Sequence, residues 1–146
     1  MTSNKNLAFG TSTWANEPPS EAERLKIRAE RDLIKSILND DAAEFDAKFK
    51  SVDVNYQSSG KMTPLHTAAA YGRAEMLSSL LSRKANLEAA NSLGFTPLIS
   101  AVYNQQEACV KTLLAACSIK TAQTKKGETS KSIAEAKNFT SISKLL

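Results

Sequence analysis

Apolar residues in the middle of the chain recur in short clusters that fit one face of a helix. Met76, Leu77, Leu80 and Leu81 fall at i, i+1, i+4 and i+5, and Cys109, Val110, Leu113 and Leu114 repeat that spacing. Each set makes the apolar stripe of an amphipathic helix. Ahead of the first stripe lies a shorter run, Leu65 to Tyr71, in which Ala68, Ala69 and Ala70 are small enough to let a neighbouring helix come close. Thr63-Pro64 opens that run and Thr96-Pro97 opens the next. A threonine hydroxyl can accept from the free amides of a first turn, and a proline at the first helical position gives up an N–H that has no acceptor there. The pattern predicts pairs of short helices, each pair leaving an apolar face for the next pair to cover.

The pairs are copies of one another. Thr63-Pro64-Leu65-His66 returns 33 residues later as Thr96-Pro97-Leu98-Ile99, and again as the degraded Thr129-Ser130-Lys131-Ser132. The register holds well beyond the motif. Ala68, Ala101 and Ala134 share it, as do Met76, Cys109 and Ile142, and Leu80, Leu113 and Leu146. Gly94 and Gly127 precede their threonines by two residues. Gly72, Gln105 and Asn138 also correspond. Glycine and asparagine tolerate positive φ, so left-handed helix ends are expected at Gly72 and Asn138, and Gln105 fits one less comfortably.

The front of the chain reads as an entry unit. Pro18-Pro19 stops any preceding helix, and Ser20-Glu21-Ala22-Glu23 has the spacing of a capping box, so a helix is expected from about Glu21. Its apolar positions, Leu25, Ile27, Leu33, Ile34, Ile37 and Leu38, gather at the far end, which leaves the first two turns charged and solvated. Asn39-Asp40-Asp41 breaks the pattern. Ala43 to Lys50, with Phe45 and Phe49 at i and i+4, predicts a second helix. At the other end, Ile133, Ala134, Ile142, Leu145 and Leu146 keep an apolar face while Lys131, Lys137 and Lys144 make the opposite side polar, as a terminal unit facing water requires. The two final leucines are expected to fold back on the last helix.

The 33-residue step and the T-P-L-H motif resemble the ankyrin repeat, whose unit is a turn followed by two antiparallel helices. The Val52-Asp53-Val54-Asn55 stretch resembles the lead into an ankyrin turn. The resemblance implies an all-α solenoid of stacked helix-turn-helix units with short finger loops over residues 20–146, in units of about 20–61, 62–94, 95–127 and 128–146. Residues 1–19 would form an N-terminal extension, extended or disordered unless docked on a partner. The resemblance further implies that His66 is a structural residue tying adjacent turns. In such arrays the partner lies against the turn tips and the inner face of the first helices. The tips here are Gln57, Ser58, Ser59, Lys61 and Met62, then Asn91, Ser92, Leu93 and Phe95, then Thr124, Lys125, Lys126 and Glu128. Inner positions are Thr67, Ala70 and Tyr71, then Ser100, Tyr103 and Asn104. Aromatic residues concentrate binding energy when central and desolvated, which singles out Tyr71, Phe95 and Tyr103.

Composition changes this picture in three places. The net charge of +4 is uneven: residues 1–110 carry 12 Lys and Arg against 13 Asp and Glu, and residues 111–146 carry 7 against 2. The basic character thus belongs to the last part of the chain. It supports an alternative function, association with nucleic acid through Lys120, Lys125, Lys126, Lys131, Lys137 and Lys144, although no aromatics interleave with these lysines. Second, residues 1–16 contain no acid, yet carry Phe9 and Trp14, which makes an extended docking peptide a second contact candidate. Third, catalytic chemistry is poorly supplied. One histidine and two cysteines give no zinc spacing, no glycine-rich phosphate loop is present, and no nucleophile is paired with a base. Cys109 and Cys117 are not expected to pair, and no secretory or membrane-spanning run occurs. The expectation is a non-catalytic protein-binding adaptor or small assembly subunit without cofactor or metal, in the cytoplasm or another intracellular space.

Overall fold

The computed structural model describes residues 18–146. Eight helices follow one another: α1 (Glu21–Asn39), α2 (Ala42–Lys48), α3 (Pro64–Ala70), α4 (Ala74–Ser82), α5 (Pro97–Tyr103), α6 (Glu107–Ala115), α7 (Ser130–Ala136) and α8 (Thr140–Leu145). Among the described residues no strand forms, and one isolated bridge joins Gln123 to Thr129. Each odd helix packs on the even helix that follows it, and the odd helices stack in a row, α1 on α3, α3 on α5 and α5 on α7. Helices α4, α6 and α8 form the second row. The result is the all-α repeat solenoid that the period implies.

Local chemistry explains where each helix starts. Ser20 Oγ accepts from Glu23 N at 3.2 Å and Glu23 Oε2 accepts from Ser20 N at 2.7 Å, the capping box expected for α1. Those bonds to Ser20 hold the Glu23 carboxyl below its ordinary range. Thr63, Thr96 and Thr129 cap α3, α5 and α7, their hydroxyls accepting from His66, Ile99 and Ser132 amides. A cap of this kind contributes about 1 kcal/mol. The second helix is shorter than its apolar pattern predicts: it ends at Lys48, and Phe49–Ser51 continues as a tighter 3-10 turn that still stacks Phe49 on Phe45 with ring centroids 5.2 Å apart.

The 33-residue register is also a register of burial. Ala68, Ala101 and Ala134 are fully buried, and so, to within a few per cent, are Met76, Cys109 and Ile142. Leu80 and Leu113 are fully buried, and Leu145 and Leu146 lie half-buried against the same core. Burial pushes the Cys109 thiol up to about 11. Leu33 and Ile37 carry α1 into the core, whereas Leu25 and Ile27 stay exposed. The reason is length: α1 has 19 residues and the α3 it packs on has 7, so its first turns overhang the stack.

Left-handed residues close the inner helices at Gly72 (φ 74°), Gln105 (φ 58°) and Asn138 (φ 62°). Gln105 takes this conformation despite its Cβ. The next amide in each case reaches back into the helix, Arg73 N to Ala68 O, Gln106 N to Ala101 O and Phe139 N to Ala134 O, at 2.8–2.9 Å. Stacking the units fixes this reversal in all of them, and at Gln105 it overrides a preference of roughly 1–2 kcal/mol.

Three sets of polar ties repeat along the stack. The carbonyl near the end of each inner helix accepts from a side chain of the next unit: Ile37 O from Arg73 Nε at 3.0 Å, Ala70 O from Gln106 Nε2 at 3.3 Å and Tyr103 O from Lys137 Nζ at 3.5 Å. Asn55 Oδ1 accepts from Asn86 N at 2.7 Å, and one period later Glu88 Oε1 accepts from Ile119 N at 2.9 Å. The finger turns join through their backbones, Ser92 N to Gly60 O and Lys125 N to Leu93 O. Each tie gives an orphan carbonyl or amide of one unit a partner in its neighbour. Within the entry unit, buried Tyr56 donates from its hydroxyl to Glu30 O at 3.1 Å. Between α2 and α4 the packing is looser, and a cleft of about 190 Å³ opens there. Arg83 helps span this seam, its guanidinium 4.3 Å from the Phe49 ring centroid and 2.9 Å from Asp46 Oδ1.

Two stability predictions follow from the packing. Leu80→Ala and Leu113→Ala each remove a fully buried side chain and should cost about 2–5 kcal/mol in urea unfolding. Ser130 stands where Pro64 and Pro97 stand in the preceding units, and its buried hydroxyl makes no hydrogen bond among the described residues. Ser130→Pro removes that orphan, sacrifices no helical N–H, and restricts the unfolded chain. It should raise stability by about 0.5–1 kcal/mol, read as an upward shift of the urea midpoint.

Candidate interaction surface

His66 fixes the frame on which the surface is built. It is fully buried, and its Nε2 lies 2.7 Å from Phe95 O in the next finger turn. A carbonyl can only accept, so the proton sits on Nε2. Nδ1 is then an acceptor, 2.8 Å from Thr63 Oγ1 and 3.3 Å from Thr63 N. The Thr63 hydroxyl donates to the ring while its lone pair accepts from His66 N. Every polar atom of the pair has a partner in the neutral tautomer. Burial holds the imidazole below its ordinary range, while the Phe95 and Ala89 carbonyls pull the other way.

The second finger turn is shaped from inside by Asn91. Its Oδ1 accepts from Leu93 N and Phe95 N at 2.9 and 3.0 Å, and its Nδ2 points at Met62 Sδ, 3.3 Å away. Gly94 (φ 79°) completes the turn, and a Cβ there would lie 2.7 Å from Lys125 N, so glycine is what allows the second and third fingers to stack. This pushes Leu93 into solvent, 62% exposed.

Behind the fingers, Phe95 and Tyr103 meet with ring centroids 5.4 Å apart and planes tilted by 58°. Lys137 Nζ lies 3.7 Å from the Tyr103 centroid, a close cation–π contact. Tyr103 is therefore held from two sides and still 46% exposed. Leu93, Phe95 and Tyr103 form one wall of a groove of about 300 Å³, and Thr124, Lys125, Lys126 and Glu128 of the third finger form the other.

A model of ankyrin repeats, in three copies, matches residues 26–125. The chain belongs to the ankyrin-repeat family. Ankyrin repeats are generally protein–protein interaction modules, and the family is typically non-catalytic. Among the described residues, no helix is long and apolar enough to cross a membrane.

Of the residues singled out from the sequence, Leu93, Phe95, Tyr103, Lys125 and Lys126 come together in this one groove of the ankyrin array. Lys61 is exposed on the first finger, and Tyr71 is 57% exposed at the end of α3, both outside the groove lining. Asn104 donates from Nδ2 to Ser100 O at 2.8 Å. Met62 and Asn91 serve each other and the finger turn. Phe9 and Trp14 lie outside the described residues. Lys120, Lys125, Lys126, Lys131, Lys137 and Lys144 are all exposed, but Lys120 Nζ reaches Leu145 O at 3.4 Å and Lys137 is engaged by Tyr103. The reading of the sequence missed the contact of Lys137 with the Tyr103 ring. The signal was available: Lys137 sits one period beyond Asn104, at the helix end where the preceding unit's residue 103 is within reach.

The His66 geometry sets a pH dependence. Its folded pKa lies below the unfolded value of 6.5, so the unfolded state takes up the proton first as pH falls. Stability is full above about pH 7 and declines as pH drops below 6.5. His66 is the chain's single histidine, so His66→Gln should flatten the slope of unfolding free energy between about pH 6.5 and 5 while lowering stability throughout. Urea midpoints measured across that interval give the slope for both proteins.

Proposed function

We propose that this ankyrin-repeat chain is a non-catalytic adaptor or small subunit of a larger assembly, and that it holds its partner at the groove between the second and third fingers. The observation that carries the reading is Tyr103, a large aromatic side chain immobilised by Phe95 and Lys137 yet open to solvent. An anchor already held in place loses little freedom on binding, and aromatic anchors rank among the residues that dominate interfaces. Leu93 extends the same wall, and most of the remaining buried apolar surface is consumed by stacking. The extension of residues 1–19, with Phe9 and Trp14, supplies a second contact.

The test is affinity capture with the full chain and with Tyr103→Ala and Leu93→Ser, the captured proteins being quantified by mass spectrometry. A charge change on the outer row, Glu75→Lys, is the control. The groove variants should each lose a partner by about thirtyfold, corresponding to about 2 kcal/mol for a central anchor, with Glu75→Lys unchanged. Deleting residues 1–16 should weaken the same capture while leaving helix content and melting unaltered. Capture indifferent to the groove variants removes the basis of the proposal.

A further inference from the structure

We infer that the occupant of the groove is an acidic, extended peptide segment of a partner protein, seating one aliphatic or aromatic side chain between Leu93 and Tyr103 with carboxylates against Lys125 and Lys126. The inference rests on the protein-binding reading of this surface and adds the chemistry of what binds.

The groove is bordered by lysines. Lys125 and Lys126 stand exposed on the third finger, and Lys137 brings a third ammonium to the Tyr103 face. Glu128 is the one acid of the lining, and its carboxylate accepts from Thr124 Oγ1 at 3.4 Å. The excess is positive, on a stretch of chain where 7 basic residues meet 2 acids. A cleft lined by one sign of charge concentrates ligands of the other.

The groove of about 300 Å³ has an apolar wall made of Leu93, Phe95 and Tyr103 facing a basic one, a division that suits a side chain on one side and a carboxylate on the other. A nucleic-acid backbone carries its phosphates at regular intervals and would bring some of them to Glu128. A peptide can place a neutral residue there.

Two other occupants are disfavoured by the same features. The chain's own residues 1–16 contain Phe9 and Trp14 but no acid, with Lys5 as their charged side chain, so they offer nothing to Lys125 and Lys126. A second copy would have to present acids of its own, and two of those around α2 are already engaged within the molecule, Asp40 by Arg73 and Asp46 by Arg83.

Selection of a random-peptide display library against the full chain, followed by fluorescence anisotropy of an enriched peptide, tests the inference. Enriched sequences should be rich in Asp and Glu around a single bulky apolar residue. The peptide should bind Lys125→Glu/Lys126→Glu at least about tenfold more weakly, and lose affinity as salt rises. Tyr103→Ala should weaken it comparably, and Lys35→Glu/Lys111→Glu, an equal charge change away from the groove, should leave it unaltered. Both lysines of the double variant are exposed, so it keeps the inference testable even where Tyr103→Ala disturbs packing; circular dichroism and melting establish that each variant is folded. Enrichment of neutral or basic sequences, or of acidic ones indifferent to the groove variants, overturns the acidic occupant and leaves the broader protein-binding reading standing. Failure to enrich any peptide counts against both. Displacement of the peptide by a single-stranded oligonucleotide at comparable concentration assigns the lysines to a nucleic acid and overturns the inference.

Discussion

Helices of six to nine residues are too short to be stable in water, and seven of the eight helices among the described residues are of that length. Everything else in the structure answers that constraint. A helix pair such as α3 and α4 presents Leu65, Leu77 and Leu80 in one layer, and no single pair can enclose them. Enclosure comes from the neighbour, and the neighbour's apolar face in turn from the next. Alanine at 68, 101 and 134 is the condition for this, because a larger side chain at the inner contact would hold the units apart.

Apolar stacking fixes the distance between units, and the polar ties fix their rotation and register. A carbonyl at the end of one inner helix is capped in turn by an arginine, a glutamine and a lysine of the following unit. Three different side chains thus fill one geometric role, so the fold asks for a donor of sufficient reach at that place and is indifferent to which. His66 is less replaceable. It satisfies its own threonine cap on one side and the next finger on the other, because the neutral imidazole carries an acceptor and a donor nitrogen on one rigid ring.

Most of the architecture was legible in the sequence because its signals are local. A threonine followed by proline, three alanines and an i, i+4 pair of leucines each specify a helix start, a close contact or a buried stripe without knowledge of the rest of the chain. The register of those signals then gives the stack. The overhang of α1 was legible too, since Leu25 and Ile27 stand among charges. Gln105 was harder to place, because its own preference disagrees with the reversal that the stacked units impose on it. The surface was only half legible. Leu93 and Tyr103 stand out by type and position, but Met62 and Asn91 share those attributes and are spent on the finger turn. Lys137 looked like one more solvated charge of a terminal unit, and its contact with Tyr103 exists only once the last two units are side by side.

That contact has a mechanical consequence. The groove is not carved into one module but straddles the seam between Leu93, Phe95 and Tyr103 on one side and the finger that leads into α7 on the other. Each module of a linear array is held through its neighbours alone, so the joint between two modules is where such an array comes apart. Whatever lodges in the groove grips both sides of that seam, so occupancy and the closure of that joint are thermodynamically linked.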